Sequence, residues 1–307
     1  MVLLERTDRR TVLAHEQTGS VNQSGKPRPT AWTEEFDQVL EKTTGFRSLR
    51  VGELLQFREL LYFLTWRDIK VRYKQTVLGA GWAILQPVLA VILFTVVFAH
   101  VAKISTGGIA YPIFAYTALV PWLFFANAVQ LASTSLTVNP QLITKVYFPR
   151  LYLVMAQIVA GLVDFVLAFV VLIAMMVYYD IGPELLGLLA LLPLLALAFL
   201  TTVGVSAWLA ALNVKYRDIR FVVPFFVQTL LFATPVVYAT SSIAEPWRTL
   251  YGLNPMTTVV EGFRWALAGG VQPHATTAAL SLATGLALFA SGFYYFHRTE
   301  RDFADVI

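Results

Sequence analysis

The chain has 307 residues, of which 57% are hydrophobic and only 14% are charged, with a formal net charge of +4 and no cysteine. Because soluble domains carry about 25% charged residues, this composition indicates a chain that is solvated mostly by lipid. The missing cysteine excludes disulfides, thiolate metal sites and a cysteine nucleophile, and basic residues scattered along the chain argue against a nucleic-acid partner.

The N-terminal part of the chain changes character near residue 53. Residues 1–52 are mostly charged, small and polar, which predicts a largely flexible cytoplasmic extension. From 53 to 75, polar residues recur every three or four positions and apolar residues occupy the other side. This pattern predicts an amphipathic interface helix along the membrane surface or, alternatively, a helix that packs on the first span.

Six apolar runs of 19 to 29 residues follow, and a membrane-spanning helix needs ~20. They cover residues 77–101, 112–136, 151–179, 185–212, 221–239 and 276–296. We therefore expect an all-α integral membrane protein, with a six-span domain at 76–297 and a cytoplasmic tail at 298–307.

Lysine and arginine lie mainly at one set of span ends. With six spans, three of these residues lie on the side opposite the N-terminus: Lys103, Arg248 and Arg264. Twelve lie on the side of the N-terminus: Arg58, Arg67, Lys70, Arg72, Lys74, Lys145, Arg150, Lys215, Arg217, Arg220, Arg298 and Arg301. Because basic residues mark the cytoplasmic ends of spans, both termini are predicted to be cytoplasmic.

The connection at 139–150, between the second and third spans, is too apolar for a free loop. Asn139 and Pro140 suit the N-cap and first position of a helix, and Pro149 would end it. We predict a short cytoplasmic helix that docks on a partner protein through Gln141, Leu142, Lys145, Val146, Tyr147 and Phe148.

The segment 240–275 is apolar but is interrupted by several prolines and glycines. Its uninterrupted pieces are too short to span a membrane, which predicts two re-entrant helices that enter and leave from the external side. We expect an external gate there with Trp247, Glu261 and Arg264, in which Glu261 and Arg264 pair at an i,i+3 spacing.

Several chemistries are missing from the sequence. No phosphate-binding loop is present, so any ATP hydrolysis must come from a partner, and the four histidines have no metal-ligand spacing. The only acid well inside a span is Asp164, which is a functional candidate by default. We favour a packing role for Asp164 over a role in transport, because no basic counterpart lies in the other spans.

Aromatic and amide residues share one face of the fifth predicted span. Phe221, Phe225, Gln228 and Phe232 recur at helical steps there, and Trp82 and Gln86 lie one turn apart on the first span. Aromatic rings stack on sugars and amides bond to their hydroxyls, so these six residues are candidates for lining a glycan channel. The alternative is that the aromatics fill the membrane core and the glutamines join helices.

Three blocks of sequence resemble a known family. Arg67-Asp68-Ile69, Arg72-Tyr73, Leu78-Gly79, Trp82 and Pro87 form the first block, and Leu212-Asn213 followed by Tyr216-Arg217-Asp218-Ile219 forms the second. The third block comprises Thr234-Pro235-Val236-Val237-Tyr238 and Asn254-Pro255-Met256. In order and spacing they are similar to permease subunits of bacterial ABC exporters of surface polysaccharides, over about residues 54–300.

This resemblance implies a type-2 ABC exporter permease fold in the bacterial cytoplasmic (inner) membrane and a transport subunit that is not itself an enzyme. It implies a homodimer with a channel between first and fifth spans, and two copies of an ATPase subunit that bind ATP and magnesium. The implied cargo is a glycan on undecaprenyl diphosphate. Its headgroup would suit the basic residues Arg67, Lys70, Arg72, Lys74, Arg217 and Arg220, although cytoplasmic topology explains these charges equally well.

Three other functions remain open from the sequence. An ABC exporter of the same fold could carry a lipid or a drug. A polyprenol-linked glycosyltransferase would need acids at the membrane surface, for which Asp68 and Asp218 are available. A proton-coupled flippase of lipid-linked glycans would rest on Asp164 alone.

Overall fold

The computed structural model describes residues 58–74, 79, 81–145, 148–183, 185–244 and 247–303. The predicted extension 1–52, the first five residues of the interface helix, Val146 and Tyr147 of the docking segment, and tail residues 304–307 lie outside the described residues. All regular elements in the described part of the chain are helical, in agreement with the predicted class.

The structure contains ten α-helices within the described residues. In chain order they are α1 (Arg58–Tyr73), α2 (Gly81–Phe94), α3 (Tyr111–Val138), α4 (Pro140–Lys145), α5 (Leu151–Tyr178), α6 (Leu185–Lys215), α7 (Ile219–Ala233), α8 (Trp247–Leu250), α9 (Pro255–Ala268) and α10 (Ala275–Thr299). A π-helical stretch, Thr95–Val101, continues α2, and short 3-10 turns occupy Thr240–Ser242, Tyr251–Leu253 and Glu300–Asp302.

Five of the six predicted spans are helices that are long and apolar enough to cross a membrane. They are Gly81–Val101, Tyr111–Val138, Leu151–Tyr178, Leu185–Lys215 and Ala275–Asp302. The apolar runs fold as helices because a backbone in hydrocarbon must form its hydrogen bonds within itself. Several exposed side chains on α5, such as Val166, Val170 and Ile173, follow helical spacing on one face, as expected for a surface in contact with lipid.

The fifth predicted span, 221–239, is shorter as a helix than the sequence suggests. α7 has 15 residues and ends at Ala233, a length of about 22 Å against the ~30 Å of a hydrocarbon core. Thr234 is extended, with φ −104° and ψ 139°. It precedes Pro235, and a residue before proline is disfavoured in the helical region. Residues 234–238 therefore continue the chain without helix.

α3 is the central helix of the described structure. Twenty of its 28 residues are buried, and α2, α5, α6, α7 and α9 all pack against it. We call the end of the bundle near Tyr111 the Tyr111 end, and the opposite end, where α4 follows Val138, the α4 end. Both ends carry polar contacts that hold neighbouring helices in register with α3.

α6 and α10 approach each other closely through glycine. A Cβ atom added to Gly204 would lie 2.5 Å from the carbonyl oxygen of Leu288, and one added to Gly292 would lie 2.1 Å from that of Gly204. Small residues allow this proximity, which is the usual basis of helix packing within membranes. Gly187, near the start of α6, contacts the backbone of Ala266 on α9 in the same way.

The interface helix α1 packs against α5, the third of the predicted spans. Leu64 is buried in this contact region, and Gln157 of α5 donates a hydrogen bond of 2.7 Å to Asp68. Tyr62, Phe63 and Val71 remain exposed. α1 thus buries Leu64 against the bundle and leaves several apolar side chains, including Phe63 on its polar face, at its surface.

Candidate transport site

Three residues join the end of α1 to the middle of α5. The guanidinium of Arg72 forms an ion pair with Asp164, and the hydroxyl of Tyr73 donates a hydrogen bond to the same carboxylate. Burial and the hydrogen bond to Asp164 raise the pKa of Tyr73, which keeps the hydroxyl protonated as a donor. The counter-charge of Asp164 therefore comes from the interface helix and not from another span.

A cavity lies beside this ion pair, between α1, α2, α3 and α5. It has a volume of about 360 Å³, and we call it the Trp82 cavity. Its wall includes two of the six predicted channel residues, Trp82 and Gln86, with Asn127 and Gln130 of α3. Phe124, Phe165 and Pro87 supply apolar surface. The sequence did not single out Asn127 as a site residue, although its three-residue spacing to Gln130 on an apolar helix was a usable signal.

The predicted channel residues are all exposed in the single chain. The exposed fractions are 67% for Phe221, 71% for Phe225 and 54% for Phe232, and Gln228 and Gln86 are exposed as well. Val223 and Val227, on the opposite side of α7, are buried against the bundle. α7 therefore presents an aromatic face with an amide away from its own chain.

The six predicted headgroup residues fall into two groups. Arg67 pairs with the neighbouring Asp68 at 2.8 Å and Arg72 pairs with Asp164, so both positive charges are compensated. The other four are exposed: Lys70 and Lys74 at the end of α1, and Arg217 and Arg220 around the start of α7. Lys70 lies over the ring of Trp66 and Arg220 over that of Phe221, whereas neither Lys74 nor Arg217 has an ion pair within the described residues.

The short helix predicted at 139–150 is present as α4, Pro140–Lys145. The side chain of Asn139 donates to the carbonyl of Ser135 in α3, at 2.8 Å, and it accepts no capping bond from α4 among the described residues. Gln141 and Lys145 are exposed and Leu142 is half-buried, but Phe148 is only 8% exposed and packs in the core. Phe148 therefore anchors the segment, whereas the exposed residues form its outer surface.

A contact that the sequence did not reveal fixes the chain after α4. The carboxylate of Glu300 accepts a hydrogen bond of 2.8 Å from the backbone N–H of Arg150, at the start of α5. Arg150 in turn contacts the Glu300 carbonyl and lies over the ring of Phe303. A carboxylate at a helix N-terminus is favoured by the helix dipole. The start of the predicted tail thus holds the end of the α4 segment.

Arg264 organises the Tyr111 end. Its side chain is 4% exposed and donates to the carbonyls of Phe114, Pro235 and Val236 at 3.0–3.2 Å, while its charge lies 3.7 Å from the centroid of the Phe114 ring. The hydroxyl of Tyr111 adds a bond of 3.0 Å to the carbonyl of Val237. These bonds satisfy the non-helical backbone that follows α7.

The predicted ion pair between Glu261 and Arg264 is not formed. No nitrogen of Arg264 lies within 4 Å of a carboxylate oxygen of Glu261, because the guanidinium is turned towards the carbonyls of α3 and 235–236. Both side chains nevertheless line one cavity of about 130 Å³ at the Tyr111 end, together with Arg248 and His274. Trp247 is 63% exposed on α8 and does not line that cavity.

The motif residues that carry the family resemblance are those that join elements. Asn213 donates to the carbonyl of Ser133 at 2.9 Å and ties α6 to α3 near the α4 end. Asn254 caps the start of α9 by accepting from the N–H of Met256 and also donates to the hydroxyl of Thr234 at 2.8 Å. The second block therefore meets the central helix near the α4 end. The two parts of the third block meet each other.

Comparison with known proteins identifies the family of the chain. The ABC-2 type transporter family matches residues 59–268. An O-antigen export system permease protein RfbA from Myxococcus xanthus is 30% identical over 260 residues, which are 84% of this chain and 98% of the relative. The protein of the same name from Klebsiella pneumoniae is 28% identical over 250 residues, 81% of this chain and 95% of the relative.

A more distant relative is the polysialic acid transport protein KpsM from Escherichia coli. It is 21% identical over 237 residues, which cover 76% of this chain and 91% of the relative. The family match covers more than half of the chain and includes α1 through α9. The chain is a multi-pass membrane protein that belongs to the ABC-2 type transporter family.

Proposed function

We propose that this chain is the permease subunit of an ATP-driven exporter that moves a surface polysaccharide, linked to undecaprenyl diphosphate, across the bacterial inner membrane. The observation that carries the proposal is the exposed face of α7, where Phe221, Phe225, Gln228 and Phe232 turn away from their own chain. Relatives named for O-antigen export and polysialic acid transport support the class of cargo.

The contacts of α7 support six membrane crossings. Before α7, Asn213 contacts Ser133 near the α4 end of α3, and after it Val237 contacts Tyr111 at the other end. Ser133 and Tyr111 are separated by 22 residues of one helix, or about 33 Å, so the chain between Asn213 and Val237 covers the thickness of a bilayer. On this basis α7 and residues 234–238 together form the fifth crossing, and both termini lie in the cytoplasm.

The position of α9 supports a re-entrant element. At its start, Pro255 lies beside Gly285, which also contacts Leu197 of α6, and near its end Ala266 contacts Gly187. The ten residues from 187 to 197 on α6 correspond to about 15 Å of depth. α9 thus begins inside the membrane and ends at the Tyr111 end, and its buried residues satisfy the rule that such elements stay within protein.

A homodimer would enclose the exposed aromatic face. α2 is the least buried of the five candidate spans, and α2 and α7 both pack on α3 while exposing Trp82 and Phe225. Two copies facing each other through these helices would form a channel lined with aromatic rings and amides. Such a lining suits a sugar chain, whose C–H faces stack on rings and whose hydroxyls bond to amides.

Coupling to ATP requires a partner, which membership of the ABC-2 family implies. The exposed surface of α4, with Gln141 and Lys145, is our candidate for docking a separate ATPase that binds ATP and magnesium. Phe148 and the Glu300–Arg150 bond attach the α4 segment to the bundle, so a movement of the ATPase would be passed on to α5. The exposed cations Lys70, Lys74, Arg217 and Arg220 are candidates for attracting the diphosphate at loading.

The competing functions have less support. Asp68 is engaged by Arg67 and Gln157, which does not suit a glycosyltransferase acid that must reach its substrate. Asp164 is paired with Arg72, which does not suit a carboxyl that must exchange protons during each cycle. A lipid or drug exporter of the same fold has no need for the amide of Gln228 among the exposed rings of α7.

The test is deletion of the gene in the cell from which the chain comes, followed by complementation. We expect loss of surface polysaccharide and accumulation of its lipid-linked form inside the cell, both reversed by the intact chain. The matched control is complementation with a chain whose α4 surface is changed, Gln141→Ala with Lys145→Ala, which should restore membrane insertion but not export. Unchanged surface polysaccharide in the deletion strain would refute the proposal.

A further inference from the structure

We propose that the Trp82 cavity is a binding site for a sugar unit within one subunit, distinct from the channel face of α7. The inference rests on the proposed function, because the sugar would belong to the exported chain. Its first support is the size of the cavity. The volume of about 360 Å³ falls within the ~300–1,000 Å³ of small-molecule pockets. The cavity is therefore large enough for a small polar ligand as well as for water.

Three amide side chains line this cavity with most of their hydrogen-bonding capacity unused. Within the described residues no hydrogen bond engages Gln86 or Asn127, and Gln130 donates only to the Ala126 carbonyl of its own helix, at 3.3 Å. Each amide can donate two hydrogen bonds and accept two. Polar groups at membrane depth are tolerated when they face a polar cavity and are costly when they face lipid. A polar ligand in the cavity would therefore supply the partners that these amides lack.

The other residues of the cavity wall indicate which kind of ligand would fit. Trp82, Phe124 and Phe165 provide aromatic surface. Among the described residues of the wall, the charged ones are Arg72 and Asp164, which compensate each other, so this part of the wall has no net charge with which to attract a phosphate. An uncharged ligand with hydroxyl groups on its edges and C–H groups on its faces matches both sets of residues. A sugar has this character, and the diphosphate of the carrier does not.

The location explains how a sugar would enter. Trp82 is 52% exposed and Gln86 is exposed, so the rim of the cavity reaches the same surface of α2 that we assign to the channel. Asn127 and Gln130 lie deeper, on the central helix α3, and both are half-buried. The cavity is thus a side pocket of the channel face, positioned to hold one unit of a chain while the rest passes by.

The experiment places a photoreactive benzophenone amino acid at one of three positions in exporting cells. The positions are Asn127 in the cavity, Phe225 on the channel face and, as the control, Val170 on the surface of α5 that faces lipid. The purified chain is then examined for covalently attached polysaccharide with a stain and an antibody for the cell's own glycan. We expect attachment at 127 and 225 and none at 170.

The other outcomes separate this inference from the proposed function. Attachment at 225 without attachment at 127 overturns the cavity site but leaves the exporter in place. Attachment at none of the positions counts against both. Equal attachment at 170 shows non-specific labelling and also overturns the site.

A second variant checks the chemistry of the cavity. Asn127→Leu keeps the volume of the side chain nearly constant and removes the amide. Because Asn127 has no hydrogen-bond partner among the described residues, the melting temperature of the protein should be unchanged. Loss of one neutral hydrogen bond corresponds to about two- to twelvefold weaker sugar binding, measured as a lower export rate at limiting glycan. An unchanged rate at an unchanged melting temperature would contradict the site.

Discussion

The guanidinium of Arg264 lies 3.7 Å from the centroid of the Phe114 ring and donates to the carbonyl of the same residue at 3.2 Å. These two residues are 150 positions apart in the sequence, and their contact joins α9 to the central helix. Through Pro235 and Val236 the same side chain also holds the non-helical end of the fifth predicted span. The Tyr111 end therefore depends on one buried cation.

Removal of that cation should destabilise the protein strongly. Arg264→Met would leave the carbonyls of Pro235 and Val236 without a donor among the described residues, and each unsatisfied buried group costs about 1–3 kcal/mol. We expect a large drop in melting temperature in detergent and poor recovery of folded protein. Arg264→Lys should not rescue it, since a single ammonium cannot serve carbonyls in several directions.

The control for this prediction is Arg217→Gln. Arg217 is exposed and forms no ion pair within the described residues, so its loss should leave the melting temperature unchanged. Equal stability of the Arg264→Met variant and the intact protein would show that the network at the Tyr111 end contributes nothing.

The ion pair between Arg72 and Asp164 should behave as a structural unit. Each side chain is about one-fifth exposed, at 21% and 19%. Asp164→Asn or Arg72→Gln alone should lower stability by about 1–3 kcal/mol, and the double variant should lose less than the sum. Thermal melts of all four proteins give the coupling energy.

The same variants distinguish transport mechanisms. If Asp164 carried protons, Asp164→Asn would abolish transport while stability held. Our account instead predicts that ATP-dependent transport falls only in proportion to folded protein. Asp218→Asn, at an exposed acid, serves as the control and should change neither quantity.

The glycine contact between α6 and α10 should be needed for full thermal stability. In Gly204→Ala the added Cβ would lie 2.5 Å from the Leu288 carbonyl oxygen, so the helices must separate. Overpacking of this kind costs about 1–3 kcal/mol, which should appear as a lower melting temperature. Gly182→Ala, where an added Cβ meets nothing within 4 Å, should melt like the intact protein. Equal effects at both glycines would contradict the packing described here.

The aromatic face of α7 should matter for export and not for folding of the single chain. Because Phe225 is 71% exposed, Phe225→Ala should leave insertion intact. Loss of one aromatic stacking surface corresponds to about two- to tenfold slower export, measured as polysaccharide reaching the cell surface per unit time. Val166→Ala, on the lipid-facing side of α5, should export normally. Full export by the Phe225 variant would remove that residue from the channel.

Apolar runs were sufficient to locate the long helices, because hydrocarbon leaves a backbone few alternatives to a helix. They failed at 234–238, where the sequence is as apolar as the helix before it. There the fold is decided by Pro235 and by carbonyl contacts with Arg264 and Tyr111, whose positions depend on other helices. The end of α7 could not be obtained from local sequence.

The sequence predicted which residue types form the site better than it predicted which residues of different helices lie together. Periodicity placed Phe221, Phe225, Gln228 and Phe232 on one face, and the structure leaves that face exposed. By contrast, Asp164 and Arg72 are 92 residues apart, and no spacing rule relates residues on different helices. The pairing of Arg150 with Glu300 and the convergence of Asn127 with Gln86 were hidden for the same reason.

The measurement that tests the central claim most directly is transport by the purified chain, with any ATPase that co-purifies, in sealed lipid vesicles. Lipid-linked polysaccharide is supplied on one side, and its appearance on the other is followed with a sugar-specific reagent that does not cross membranes. We predict movement that requires ATP and magnesium and that persists without a pH gradient. Movement that is driven by a pH gradient and indifferent to ATP, or no movement in the presence of an active ATPase, would contradict the account.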